Sequence, residues 1–290
     1  MFGAIIGDII GSYYEVLEIE HQKKYHKPRP YNERIKIMKD ELFNENSSYT
    51  DDTVLTVAIS DAIINGNCNY EKYLREYGIK EINLGLDKYG RSRFGSGFVD
   101  WLKGNYQGTS YGNGAAMRIS PIGYFNTLEE VKYNSYLATI SSHNHIDSIK
   151  ASESIATSIY LLNNGITKEE LKKYIENNYY KLDYDLEDLI HNNKFSSKSN
   201  VTVPQAIYIF LNSNSFEDSI RKAISIGGDT DTISAITGSL SEAYYGVPDY
   251  LINKANEYLT DDMKKVINDF YRKGKVKKKV YDDKKHSITF

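Results

Sequence analysis

Apolar residues recur at helical spacing along most of the chain. In "DTVLTVAISDAIING" (52–66) and "DSIKASESIATSIYLLNNG" (147–165) they return every three or four residues, as in an amphipathic helix. "TKEELKKYIENNY" begins with Thr167 and carries Glu170 three residues later, which is a capping-box signature. The same periodicity recurs in "TVPQAIYIFLNS", "SFEDSIRKAISIG", "DTISAITGSLSEAYYG" and "DDMKKVINDFYRK". Because alternating strand patterns are scarce, the sequence predicts one mostly α-helical domain over residues 1–290.

Two polar stretches fall outside this pattern. Residues 21–48 are polar and predicted to be irregular, with a length typical of a functional loop. Residues 272–290 are locally basic and are predicted to form a solvated tail or a small hairpin in "KVYDDKKHSITF".

Composition excludes several classes of protein. The net charge of the 290 residues is −3, so no global attraction to nucleic acid is expected. Cys68 is the only cysteine, which excludes an internal disulfide and a cysteine-based metal cage. The first apolar run lacks a basic start and is interrupted by Asp8, and no later run approaches the ~20 apolar residues of a membrane span. We therefore expect a cytoplasmic protein without membrane contact; the sequence gives no indication of its oligomeric state.

Two similar acidic stretches each precede an apolar helical pattern. "TDDT" (50–53) leads into the first pattern and "DTDT" (229–232) into a later one. Asp and Thr are common helix N-caps and Asp favours the positive end of the helix dipole, so either stretch alone is consistent with a simple cap. A cap needs only one side-chain acceptor, however, and a second carboxylate is present in both stretches. We therefore predict that the two helix starts meet in space.

Four carboxylates would then share one site, namely Asp51, Asp52, Asp229 and Asp231. Two like charges about 4 Å apart repel by about 1 kcal/mol in water and about 4 kcal/mol near a protein surface. Such a cluster needs protons or cations to neutralise it. Its donors are all hard oxygens, which favours Mg²⁺, Mn²⁺ or Ca²⁺ over Zn²⁺ or Cu²⁺, and several carboxylates around two cations is typical of a two-metal site.

Five motifs, in order, resemble those of the ADP-ribosylglycohydrolase family: "GAIIGDIIGSYYE", "TDDT", "SYGNGAAMR", "SHNH" and "GGDTDT". The resemblance covers about residues 1–247. It implies an all-α, compact multi-helix bundle that binds two Mg²⁺ or Mn²⁺ ions and hydrolyses the bond at ribose C1″. The substrate implied is an ADP-ribosylated protein or a small ADP-ribose conjugate, and ADP-ribose is the product released.

The resemblance also implies roles for single residues. Six metal ligands are implied: Thr50, Asp51, Asp52, Asp229, Asp231 and Thr232. Glu15 matches the family's acidic residue near the metals and is a candidate general base, a role for which Asp51 and Asp52 are the alternatives.

A glycine-rich segment is the candidate substrate-binding region. The glycines of "QGTSYGNGAAMR" allow close backbone approach, and the alanines after them could begin a helix whose N–H groups face an anion. A plain Asn-Gly turn is the alternative. By resemblance, the ADP-ribose diphosphate and ribose are contacted by Ser110, Tyr111, Gly112, Asn113 and Gly114, with further contacts from Gly95, Ser96, Gly97 and His143. Ser197 and Lys198 stand where many relatives carry a Cys-Gln pair, which is expected to alter the pocket wall.

Two hypotheses about the function stay open. The first is the metal-dependent hydrolase, for which the linkage cleaved (arginine, serine, acetyl or small-molecule) is not determined by the motifs. The second is a non-catalytic member of the same fold that binds ADP-ribose or a nucleotide, or that serves structurally.

Overall fold

The computed structural model describes residues 1–87 and 90–273, and within them the chain forms fourteen α-helices and no β-strand. The helices are α1 (Phe2–Tyr25), α2 (Tyr31–Ile37), α3 (Asp51–Ile64), α4 (Tyr70–Asn83), α5 (Ser96–Leu102), α6 (Leu128–Ile140), α7 (Ile146–Asn163), α8 (Lys168–Asn178), α9 (Leu186–Asn192), α10 (Ser199–Leu211), α11 (Phe216–Ser225), α12 (Thr230–Tyr245), α13 (Asp249–Asn256) and α14 (Asp261–Lys273). Two 3₁₀ turns lie at Asn113–Ala115 and Ser120–Tyr124. The predicted helical fold is confirmed, whereas the predicted hairpin at 279–290 lies outside the described residues.

The packing of α1 against α12 organises the molecule. Three glycines spaced four residues apart, Gly3, Gly7 and Gly11, lie on the face of α1 that meets α12. A Cβ atom added at Gly7 would lie 2.0 Å from the carbonyl oxygen of Ser234, and one at Gly11 would lie 2.4 Å from that of Thr230. The two backbones are therefore in direct contact, which only glycine permits. This contact sets the N-terminal half of α1 beside the start of α12.

The polar segment 21–48 is more ordered than its sequence indicated. Helix α1 continues through its first residues to Tyr25, and α2 forms in its middle. Arg34 of α2 is fully buried, where its Nε donates to Glu18 Oε1 at 3.1 Å and its Nη2 donates to the carbonyl oxygen of Asn193 at 2.9 Å. The prediction of an irregular segment is thus wrong over these two helices, because one buried ion pair anchors α2 to α1.

Buried apolar side chains from α1 to α14 form one continuous hydrophobic core. Helix α12 is buried over almost its whole length. Among the described residues, no helix combines the length and the apolar character needed to traverse a lipid bilayer. The predicted capping box of α8 is present, since Thr167 Oγ1 accepts from the backbone N–H of Glu170 and the Glu170 carboxylate accepts from that of Thr167.

Candidate active site

The starts of α3 and α12 meet, as predicted. Thr232 Oγ1 on α12 donates a hydrogen bond of 3.4 Å to Asp52 Oδ2 on α3. Carboxylate oxygens of Asp8, Asp52 and Asp231 all lie within 4.8 Å of one another, and so do those of Glu15, Asp229 and Asp231. Two neighbouring triads that share Asp231 therefore form one acidic cluster.

The residues in these triads differ in three respects from the predicted ligand set. Asp8 belongs to the first triad, although no role was predicted for it. Asp51, a predicted ligand, belongs to neither triad found among the described residues, and its side chain lies on the adjoining cavity wall. Glu15 is half-buried on α1, one helical turn beyond Gly11, and it joins the second triad directly.

Asp8 holds the start of α3 in place. Its Oδ2 accepts hydrogen bonds from the backbone N–H groups of Thr50 and Thr53 at 2.9 and 3.1 Å, and its Oδ1 accepts from Thr50 Oγ1 at 2.7 Å. Thr50 is itself the N-cap of α3, accepting from the N–H of Asp52 at 3.3 Å. Burial raises the pKa of Asp8 to about 6, against the lowering effect of these hydrogen bonds. The signal that could have revealed Asp8 is its position between Gly7 and Gly11 in an otherwise apolar run.

Burial and mutual repulsion raise the pKa of the other acids. Burial is the larger cause, and it raises the pKa of Asp51 and of Asp229 to about 7. Burial together with the neighbouring carboxylates raises the pKa of Glu15, Asp52 and Asp231 well above the usual range. Without a counter-charge the cluster therefore binds protons near neutral pH.

The cluster suits divalent cations. Asp52 Oδ1 is buried and has no hydrogen-bond partner among the described residues, so an acceptor is left to bind something other than protein. The surrounding donors are carboxylate and hydroxyl oxygens, which are the ligands that Mg²⁺, Mn²⁺ and Ca²⁺ prefer. The residues present therefore fit the metal binding that the sequence predicted.

A cavity of ≈ 410 Å³ opens on the acidic cluster. Every predicted site residue lines it except Thr50 and Tyr111. Thr50 instead lines a second cavity, of ≈ 420 Å³, which shares Glu15, Asp51 and Asp231 with the first. The first cavity also has an apolar side, formed by Leu55, Phe98, Trp101 and Phe195. Ser197, the predicted departure from the family pattern, lies in the wall as expected.

The glycine-rich segment forms a tight loop against α10 and α12. The Asn113 side chain donates to Asp229 Oδ2 at 2.7 Å, and its backbone N–H donates to the carbonyl oxygen of Ser197 at 2.9 Å. The helix expected after the glycines is absent, since only the three-residue 3₁₀ turn Asn113–Ala115 forms there. That expectation is wrong because Asn113 is tied to neighbouring elements on both sides, so the chain turns at this point.

The Tyr111 side chain is not among the residues that line the cavity, and its contact with ADP-ribose stays a prediction. Its ring is 52% exposed and packs edge-on against His145, with ring centroids 5.8 Å apart. His145 is the N-cap of α7, accepting from the N–H of Asp147. His143, in contrast, is buried in the cavity wall.

Arg118 also lines the cavity, although no role was predicted for it. Arg118 is fully buried, and its Nη2 donates to Ser142 Oγ at 2.7 Å and to the carbonyl oxygen of Ala138 at 3.1 Å. Its positive charge lowers the pKa of Asp51 in opposition to burial. Arg118 is the last residue of the motif "SYGNGAAMR", but the motif does not indicate that this cation lies beside the acids, which only the fold reveals.

Several known proteins are similar in sequence to this chain. ADP-ribosylarginine hydrolase Tri1 of Pseudomonas putida (strain GB-1) is 24% identical to this chain, over 85% of the chain and 70% of that protein. ADP-ribosylhydrolase ARH3 of Homo sapiens is 23% identical, over 84% of each protein. An uncharacterized protein of Archaeoglobus fulgidus is 24% identical, over 90% of this chain and 92% of its own length.

The fold is similar to that of a solved structure described as an ADP-ribosylglycohydrolase-related protein complex. The TM-score is 0.65 at 18% sequence identity, and the alignment covers 94% of this chain and 95% of the other. The predicted all-α bundle of this type is therefore confirmed. A family model for ADP-ribosylglycohydrolase matches residues 1–279, nearly the whole chain. The chain belongs to the ADP-ribosylglycohydrolase family.

Proposed function

We propose that the protein hydrolyses the bond between ribose C1″ of an ADP-ribosyl group and its substituent, releasing ADP-ribose. The observation that carries this proposal is the meeting of Glu15, Asp52, Asp229 and Asp231 at the floor of a cavity walled by the glycine loop. Tri1 and ARH3, whose names describe hydrolases of ADP-ribosyl groups, support the same reaction class. An ADP-ribosylated protein or a small ADP-ribose conjugate is the substrate class.

The two sides of the cavity suit the two parts of ADP-ribose. Gly112 and Gly114 carry no side chain, so a diphosphate can approach the loop backbone closely. Phe98 and Phe195 offer apolar ring surface on which a nucleobase can pack. With the adenosine end held there, the distal ribose extends toward the acidic cluster.

Glu15 is the proposed general base. It stands at the junction of the two cavities, within 4.8 Å of carboxylate oxygens of Asp229 and Asp231. Its carboxylate holds a water molecule and takes one proton from it as the water oxygen bonds to C1″. The bond from C1″ to the substituent breaks, and the substituent leaves with that proton. Negative oxygens around the ribose stabilise the positive charge that develops on the ring.

The carboxylates of Asp8, Asp52, Glu15, Asp229 and Asp231, with the hydroxyl of Thr232, would hold two Mg²⁺ or Mn²⁺ ions. When bound, such ions neutralise the cluster and polarise oxygens of the substrate and of water. Thr50 and Asp51 remain proposed ligands from the start of α3, although Thr50 Oγ1 already donates to Asp8 and accepts from Asp52.

The second cavity gives the substituent a place to leave. It lies against Glu15, Asp51 and Asp231 and extends along α1 to Lys23. Arg93 also lines it. A cavity of ≈ 420 Å³ is larger than an acetyl group needs. This cavity has room for a protein side chain as the substituent, which supports an ADP-ribosylated protein as the substrate.

Asp231→Asn tests the proposal, because Asp231 is shared by both triads. The variant should lose turnover by at least about 100-fold and bind Mg²⁺ or Mn²⁺ more weakly, as measured by ADP-ribose release and by calorimetry. Asp183→Asn, at an exposed position, is the matched control and should behave as wild type. Unchanged metal affinity in an inactive Asp231→Asn protein would remove Asp231 from the ligand set.

A substrate panel separates the hydrolase from the non-catalytic alternative. Arginine-, serine- and acetyl-linked ADP-ribose are each incubated with the protein under Mg²⁺ and under Mn²⁺. Release of free ADP-ribose from the side-chain conjugates is expected. Binding of ADP-ribose without release from any substrate would instead favour a binding module.

A further inference from the structure

A chain of hydrogen bonds connects Arg118 to His143 through Ser142. Arg118 Nη2 lies 2.7 Å from Ser142 Oγ, and Ser142 Oγ lies 2.8 Å from His143 Nδ1. All three side chains are at least nine-tenths buried, with exposures of 0%, 2% and 7%. Water therefore does not substitute for these contacts, and the direction of each hydrogen bond has structural consequences.

The direction follows from the chemistry of the donors. An arginine guanidinium only donates, so Ser142 Oγ accepts from Arg118. Arg118 stays protonated at neutral pH, since burial lowers its pKa only to about 9. The Ser142 hydroxyl keeps one proton, and no acceptor other than His143 Nδ1 lies in hydrogen-bond range of it among the described residues. Because a buried hydroxyl proton without an acceptor is unfavourable, Ser142 donates to Nδ1.

An imidazole can accept a hydrogen bond at Nδ1 only when Nδ1 carries no proton, and a neutral ring then carries its proton on Nε2. A proton on Nδ1 would break the bond from Ser142. The neutral form fits the surroundings, because burial and the charge of Arg118 lower the pKa of His143 well below the usual range. Nε2 faces the glycine loop, and a Cβ atom added at Gly114 would lie 2.9 Å from it. No protein acceptor for Nε2 occurs in the part of the chain that the structure describes, so this N–H is available to the cavity.

We infer that Ser142 and Arg118 are positioning residues that hold His143 as the Nε2–H tautomer, so that it presents a neutral donor to an acceptor oxygen of the bound ligand. The opposite tautomer would turn a lone pair toward the cavity and repel a phosphate or ribose oxygen. Only the identity of that ligand as ADP-ribose rests on the proposed function. The tautomer itself is a property of the free protein.

Nitrogen-15 NMR of the full chain without ligand tests the tautomer directly. The imidazole signal of His143, assigned by its loss in a His143→Gln variant, should show a protonated Nε2 and an unprotonated Nδ1 at pH 7. A protonated Nδ1, or an imidazolium, would overturn the inference. This measurement needs no activity, so its result stands whether or not the proposed function does.

Ser142→Ala tests the consequence for binding. Loss of the aligned donor should raise the Kd for ADP-ribose roughly 10-fold and leave the Kd for Mn²⁺ within about twofold. Ser142→Thr keeps the hydroxyl and should restore most of the affinity. Ser158→Ala is the matched control, because Ser158 is also buried but donates only to the Ser154 carbonyl of its own helix.

Two results would contradict the positioning role. Equal weakening of ADP-ribose and Mn²⁺ binding in Ser142→Ala would indicate a general disturbance of the site. Unchanged ADP-ribose affinity together with an unchanged tautomer would show that Ser142 does not direct His143. If wild-type protein fails to bind ADP-ribose at all, the proposed function fails, and the NMR measurement still decides the tautomer.

Discussion

The acidic turns at the starts of α3 and α12 carry similar residues but are held in place differently. The α3 start is held by side chains, because Thr50 caps the helix and Asp8 accepts from Thr50 and Thr53. The α12 start has no side-chain cap and is held mainly by packing of its backbone. There, Gly11 of α1 packs directly on the backbone of α12, and the Thr230 hydroxyl donates to the carbonyl oxygen of Gly11 at 2.9 Å.

This difference explains why the aspartates that could bind a metal do not serve as helix caps. At α3, the Thr50 side chain accepts from the backbone N–H of Asp52, and Asp52 Oδ1 has no hydrogen-bond partner among the residues that the structure describes. At α12, the turn is set by Gly227 and Gly228, whose φ angles of 68° and 84° other residues rarely adopt. In both arrangements a carboxylate at one helix start faces the other start, and Asp231 Oδ1 also accepts from the backbone N–H of Thr232 at 2.8 Å.

The largest expected effect comes from disturbing the backbone contact. Gly7→Ala places a Cβ 2.0 Å from the Ser234 carbonyl oxygen, so α1 and α12 must move apart. We expect a loss of at least about 3 kcal/mol in the free energy of unfolding, measured with urea. Gly97→Ala is the control, because a Cβ there meets nothing within 4 Å and should stabilise by up to about 1 kcal/mol. A Gly7→Ala protein of wild-type stability would refute the contact.

The next effect is the pH dependence of stability in metal-free protein. Buried carboxyls such as Asp229, whose pKa is raised from 3.8 to about 7, bind more protons in the folded than in the unfolded state between these pH values. Their stabilising contribution is complete below about pH 4 and is lost as pH rises to about 7. The slope is roughly −1.4 kcal/mol per pH unit for each extra proton.

Calorimetry in the presence of chelator, from pH 5 to pH 8, measures this slope. Asp229→Asn removes one of the titrating groups and should flatten it relative to wild type. Saturating Mn²⁺ at pH 7.5 should raise the Tm and release protons, because cations replace them. An identical slope in wild type and Asp229→Asn would contradict the assignment of these protons to the cluster.

The smallest effects compare the two turns directly. Thr50→Val removes the α3 cap and a donor to Asp8, and should cost about 1–2 kcal/mol of unfolding free energy. Thr230→Val removes only the bond to Gly11 and should cost about 1 kcal/mol or less, since backbone packing persists. Urea unfolding in chelator gives both values. A larger loss for Thr230→Val would show that side chains hold the α12 start as well.

Much of the fold was predictable because its helices follow from local patterns in the sequence. The predicted helix beginning at "TDDT" corresponds to α3, and the N-cap function of Thr50 was available from residue type alone. The meeting of the two acidic turns was also predictable, because each turn carries one carboxylate more than a cap requires. These inferences needed only periodicity and the chemistry of helix ends.

The remaining features depend on contacts between residues distant in the sequence. Asp8 and Arg118 each stand as a single charged residue in an apolar stretch, which marks the position but does not reveal the partners of the side chain. Their roles arise only when α1 meets α3 and when the loop after Gly114 meets α6 and the turn that follows α6. Likewise, the burial of Arg34 depends on Glu18 and on carbonyl groups near residue 193, which the sequence does not place nearby.

The contact between α1 and α12 has a consequence for biogenesis. Gly3 and Gly238 are in contact although they lie far apart in the sequence, so their pairing is among the least local in the molecule. Contacts of such high sequence separation form slowly, because a long loop must close first. A ribosome-bound nascent chain that lacks α12 holds Asp8 and Glu15 but not Asp229 or Asp231. Assembly of the acidic cluster therefore awaits the emergence of α12 from the ribosome.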